Sequence, residues 1–150
     1  MKYNRIRDLR VDKDYTQAFV GKHLGVAQHT LSRYELGDSN IPNEILIGLA
    51  IFYGKSVDFL LGLTDEKAPY SPKLSEDDTQ GRFKDTRKAK GYNQLTTSKH
   101  LNIAQNTLSQ YERGLRSIPN DILVRIAIFY DVSVDYLLGL TDEKVPYPRK

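Results

Sequence analysis

Residues Thr16–Gly37 read TQAFVGKHLGVAQHTLSRYELG, and the spacing of turn-forming and apolar residues in this stretch decides the fold. Thr16 is an N-cap type residue, so a helix starts there and runs to about Leu24. Gly25 then supplies a residue that tolerates the left-handed conformation needed to leave a helix. A second helix is expected from Gln28 to Leu36, closed by Gly37. Val26 and Leu31 fall where helical spacing turns them toward the preceding helix, whereas the start of the second helix is polar. Two short helices separated by a tight turn at Gly25-Val26, the second opening on polar residues, form the arrangement that sets a recognition helix into a DNA major groove.

Outward from this stretch the pattern stays helical. Tyr3–Asp12 is predicted as a helix with Ile6 and Leu9 turned inward. Ile41-Pro42 opens a fourth helix, with proline at a first-turn position where a missing amide hydrogen costs nothing. Ile45, Leu46, Leu49 and Phe52 form its expected buried stripe. Ser56 caps a last short helix through about Leu61, which Gly62 stops. The unit is therefore all-α, with five helices.

The same frame occurs twice. Shifted by 77 positions, Arg5–Tyr70 aligns with Arg82–Tyr147 without a gap, at roughly six identities in ten, a level that marks an internal repeat. Ala27-Gln28 matches Ala104-Gln105, Thr30-Leu31-Ser32 matches Thr107-Leu108-Ser109, and Leu60–Lys67 recurs letter for letter as Leu137–Lys144. A unit of about 60 residues is large enough to hold its own core. The expected organisation is a first domain over residues 1–65, a linker over 66–80, a second domain over 81–142 and a C-terminal tail over 143–150. The linker is rich in proline and charge, and Ser75 with Asp78 offers an early cap for the next helix.

Composition excludes several classes. With 39% apolar and 27% charged residues, the chain is too apolar for disorder and too polar for a membrane protein. Its longest apolar run, Ile45–Gly54, is about half of what a spanning helix needs. There are no cysteines, which removes disulfides and thiolate metal sites and fits a reducing, cytoplasmic setting. The three histidines supply no ligand pair, and no nucleophile–base set or glycine-rich phosphate loop appears, so neither a metal, a cofactor, an enzyme nor a small-molecule site is expected. A net charge of +3 is a poor argument for nucleic acid by itself. Its distribution says more: Lys and Arg balance Asp and Glu at 8 against 8 over residues 1–65, but stand at 9 against 6 over residues 81–142.

Thr16–Gly37, with the Ile-Pro and SVDFLLG segments after it, resembles the Cro/repressor-like (Xre-type) helix-turn-helix family, and the resemblance covers nearly everything outside linker and tail. It implies double-stranded DNA as partner, read by the exposed face of the third helix. That face carries Gln28, His29, Ser32 and Arg33 in the first unit and Gln105, Asn106, Ser109 and Gln110 in the second. Glutamine suits adenine and arginine suits guanine, so the halves are expected to read different half-sites as a repressor-like regulator. Phosphate contacts are assigned to Thr16, Gln17 and Asn40, and to Asn93, Gln94, Arg113, Arg116 and Ser117. The resemblance also implies that Arg10 with Glu35, and Arg87 with Glu112, are structural ion pairs outside the readout set.

Other readings stand beside these. Gln28 and Gln105 are also ordinary surface helix formers. Phe19 occupies a position usually polar in the family, which suits a protein-binding, antitoxin-like or anti-repressor module with a protein partner. Thr86 and Thr97 stand at core positions held by Leu9 and Val20 in the first unit, so the second unit is expected to be less stable, yet to grip phosphate better. The connector from Leu63 to Gly81, when extended, is long enough to span half-sites about 34 Å apart. Homodimerisation is the rival to tethering, through the last helix of a unit: Phe59, Leu60 and Leu63, or Tyr136, Leu137 and Leu140.

Overall fold

A computed structural model describes residues 4–66 and 81–149. The chain divides into two compact units, Met1–Pro72 with Tyr147–Lys150, and Lys73–Pro146. All regular structure among the described residues is helical. The first unit contains α1 (Asn4–Asp12), α2 (Gln17–Leu24), α3 (Gln28–Leu36), α4 (Asn43–Tyr53) and α5 (Val57–Leu60). The second repeats them as α6 (Arg82–Ala89), α7 (Gln94–Leu101), α8 (Gln105–Glu112), α9 (Asn120–Tyr130) and α10 (Val134–Leu137). Tyr3 and the Ser75–Asp78 cap lie outside the described residues.

Helices this short are not stable alone; they hold because each turns one stripe into a shared core. In the first unit Ile6, Val20, Leu31, Ile41, Leu46, Leu49, Ala50 and Val57 are completely buried. In the second, Leu101, Leu108, Leu123, Ile126, Ala127, Val134, Leu137 and Leu140 are buried. Caps sit where the sequence puts them: Thr16 Oγ1 accepts from the Phe19 amide at 3.0 Å, and Ser56 Oγ from the Phe59 amide at 2.9 Å.

Several expectations need correction. Pro42 is the N-cap of α4, not a first-turn residue. The buried stripe of α4 is Leu46, Leu49, Ala50 and Tyr53, an i, i+3, i+4, i+7 set; Ile45 and Phe52 are only half-buried. Phe52 instead joins an aromatic group with Tyr15 and His23, at centroid distances of 5.7 and 5.2 Å. Leu9, Val26 and Ile103 are half-buried as well, because they lie at the rim where helix or turn meets solvent. Of the apolar residues offered for dimerisation, Phe59, Leu60, Leu63, Leu137 and Leu140 are buried within the chain. Tyr136 is half-exposed and lies beneath the Arg82 guanidinium, 4.3 Å from its ring centroid.

A latch that the sequence reading missed closes each unit. Arg5 donates to the Phe59 and Thr64 carbonyls and pairs with Asp65. Arg82 repeats this, donating to the Tyr136 and Thr141 carbonyls at 2.6 Å and to Asp142 at 2.5 Å. The available signal was an arginine at the first aligned position of each repeat and an aspartate 60 residues on.

Candidate nucleic-acid interface

In each unit a buried ion pair orients the two helices that matter. Arg10 Nε donates to Glu35 Oε2 at 2.8 Å and Nη2 to Oε1 at 3.0 Å; Nη1 reaches the Tyr15 carbonyl at 3.0 Å. Arg87 and Glu112 match this at 2.7 and 3.1 Å, with the Tyr92 carbonyl at 2.9 Å. The carboxylate hydrogen bond raises the pKa of both arginines. Because Glu35 and Glu112 sit in the last turns of α3 and α8, the fork fixes each of these helices against the first helix of its unit.

The turn is set by backbone bonds. Gly25 takes φ +72°, and the Val26 amide donates to the Gly21 carbonyl at 2.9 Å. A Cβ on Gly21 would come within 2.8 Å of the Val26 carbonyl oxygen, so a side chain there would force the first unit's turn to shift, whereas the second unit closes the same turn with Ser98 at the matching place. In the second unit Asn102 takes φ +55°, and Ile103 donates to Ser98 at 3.0 Å.

Beyond this turn each of these helices divides cleanly by face. Leu31, Tyr34 and Glu35 point inward from α3, as Leu108, Tyr111 and Glu112 do from α8. Gln28, His29 and Arg33 are exposed and Ser32 partly so; Gln105 and Asn106 are exposed, with Ser109 and Gln110 partly so. The structure thus brings each sequence-selected reading set onto one open face. The N-caps Ala27 and Ala104 make no side-chain cap, and in α3 the Thr30 amide donates to the Ala27 carbonyl at 3.0 Å; the amides that open a helix have no intrahelical acceptor.

The phosphate set is less uniform. Thr16 and Asn93 are exposed caps, Asn93 Oδ1 accepting from the Thr96 amide at 2.7 Å. Gln17 and Gln94 are half-buried, and each gives Nε2 to its glutamate, Glu35 or Glu112, at 3.1 Å. One amide hydrogen is thereby committed and the second remains for an outside acceptor. Asn40, Arg113, Arg116 and Ser117 are exposed in the segments after α3 and α8.

A helix-turn-helix family model matches residues 6–60 and again 83–137. The chain belongs to the Xre-type helix-turn-helix family. It is similar to the HTH-type transcriptional regulator ImmR of Bacillus subtilis, 45% identical over 58 residues, covering 39% of this chain and 46% of that protein. It is also similar to the uncharacterized HTH-type transcriptional regulator YobD of the same organism, 40% identical over 65 residues, 43% of this chain and 58% of the relative. The cryptic phage CTXphi transcriptional repressor RstR of Vibrio cholerae is 41% identical over 51 residues, 34% and 46% of the two chains. The matches span about half the length of these curated relatives. No solved structure gives a significant match. No described helix is long and apolar enough to cross a membrane.

Proposed function

We propose that this chain is a sequence-specific double-stranded DNA-binding protein, a transcriptional regulator of repressor-like type, whose two units read non-identical half-sites in the major groove. The observation that carries the reading is the same in both units: an open polar face on α3 and α8, backed by a buried leucine and held by a buried arginine–glutamate fork. Three relatives named as transcriptional regulators or repressors support it. His29 and Arg33 in one unit stand against Asn106 and Gln110 in the other. Those differences change the donor and acceptor pattern offered to bases, each good pair being worth about 1–3 kcal/mol of discrimination.

Selection of preferred duplexes from a random pool with the intact chain tests this. The expected product is a bipartite motif with unlike halves; two identical halves, or no enrichment, would overturn it. A protein-binding function drew on Phe19, which is 43% exposed but rests on Tyr15 at 4.8 Å and His23 at 4.7 Å. Its aromatic character therefore has an account inside the unit.

A further inference from the structure

We infer that the two units hold DNA by different means: the second is a phosphate anchor through the loop after α8, and the first is the discriminating reader through α3. This inference rests on the DNA-binding reading above and adds a division of labour to it.

The two loops share one backbone. Gly37 and Gly114 take φ +78° and +71°, and the next amide closes the same turn, Asp38 to the Arg33 carbonyl at 3.0 Å and Leu115 to the Gln110 carbonyl at 2.9 Å. Residue for residue, Leu36, Asp38, Ser39 and Asn40 therefore occupy the places of Arg113, Leu115, Arg116 and Ser117. On that common frame the loop charge changes from minus one to plus two.

Elsewhere in the second unit arginines are already spoken for: Arg82 pairs with Asp142, Arg87 with Glu112 and Arg125 with Asp121. Arg113 and Arg116 are exposed, and neither meets a carboxylate among the described residues. Among the described residues the Arg113 side chain makes one long contact, 3.4 Å from Nε to the Ser109 carbonyl.

The reading helices show the reverse. Arg33 stands on the open face of α3, and neutral Gln110 takes its place on α8. The first unit thus presents its cation to bases and an aspartate beside the backbone path, whereas the second keeps its reading face neutral and puts two cations in the loop. Phosphate contacts add affinity without sequence information, and base contacts discriminate. Each phosphate neutralised adds about 0.9 to the slope of log K against log salt, so the second unit supplies the steeper share of that dependence.

The test uses the intact chain, with fluorescently labelled duplexes, one from the selected pool and one random, titrated from about 50 to 200 mM salt. Arg113→Leu with Arg116→Ser installs what the first unit carries at the matching places. It should lower the salt slope by about 2 and weaken both duplexes alike. Arg113→Lys with Arg116→Lys should restore the slope, and Leu36→Arg with Asp38→Leu and Ser39→Arg should steepen it. Arg33→Gln should change the slope less, but cut the preference for the selected duplex by about tenfold. Circular dichroism confirms that each variant keeps its helices. An unchanged slope in the leucine–serine variant, or a loss of preference in place of slope, overturns the division of labour while leaving DNA binding intact. Failure of the unaltered chain to bind either duplex at low salt removes the DNA reading itself, and this inference with it.

Discussion

The two units share one backbone plan and solve its local demands with different residues. Where the first unit leaves a helix through Gly25 and Gly54, at φ +72° and +62°, the second uses Asn102 and Asp131 at +55° and +54°. At the turn after the first helix the roles reverse, with Asp14 at +57° and Gly91 at +81°. Glycine enters this region without steric cost and other residues do so at a penalty that is smallest for Asn and Asp. In the core, Val20 is replaced by Thr97, whose buried hydroxyl lies against the Tyr130 phenol without a hydrogen bond of ordinary geometry. The matching Tyr53 hydroxyl likewise meets no hydrogen-bond partner among the described residues, and burial pushes that phenol up to about 12. Through these exchanges α3 and α8 keep the same arrangement, each tied to the first helix of its unit by the ion-pair fork common to both.

Substitutions at these places separate the two units in calorimetric melting of the intact chain. Glu35→Ala or Glu112→Ala strands a buried arginine and should cost its unit about 3–5 kcal/mol; equal loss in both units from either change would show that they do not melt separately. Gly21→Ala drives a methyl against the Val26 carbonyl and should cost about 1–3 kcal/mol. Ser98→Ala at the matching place gives up only the 2.8 Å hydrogen bond from Oγ to the Leu95 carbonyl, a loss of about 1 kcal/mol or less. Thr97→Val should raise the second unit by about 1 kcal/mol by removing an unsatisfied hydroxyl; a loss of stability instead would mean that the Tyr130 contact is a working hydrogen bond. The smallest effect belongs to Asn102→Gly and Asp131→Gly, each a gain of a few tenths of a kcal/mol from relief of the left-handed strain, offset in part by the greater freedom of glycine when unfolded.

Helices that the sequence punctuates strongly were legible to the residue. Thr16, Gly25, Gly37 and Ser56 each stop or start an element by a local rule, and α2 and α3 end where those residues place them. The buried face of α4 was harder to read. Asn43–Tyr53 is NEILIGLAIFY, apolar around nearly its whole circumference, so periodicity does not choose between Phe52 and Tyr53; packing against Tyr15 and His23 does. In the site, the outward positions of Gln28 and Gln105 followed from helical spacing with Leu31 and Leu108. The tie from Gln17 to Glu35, 18 residues on, did not, since no local pattern reports which side chain a half-buried amide will meet. The Arg5 and Arg82 latches span 60 residues to Asp65 and Asp142, a separation beyond the reach of any window-based reading.

That latch gives each unit an entrance and an exit that are neighbours. A fold whose first and last segments are clasped by one guanidinium can be strung on a polypeptide like a bead, since copying it end to end leaves every internal connection uncut. The duplication in this chain is such a string of two, and the clasp was carried with each copy.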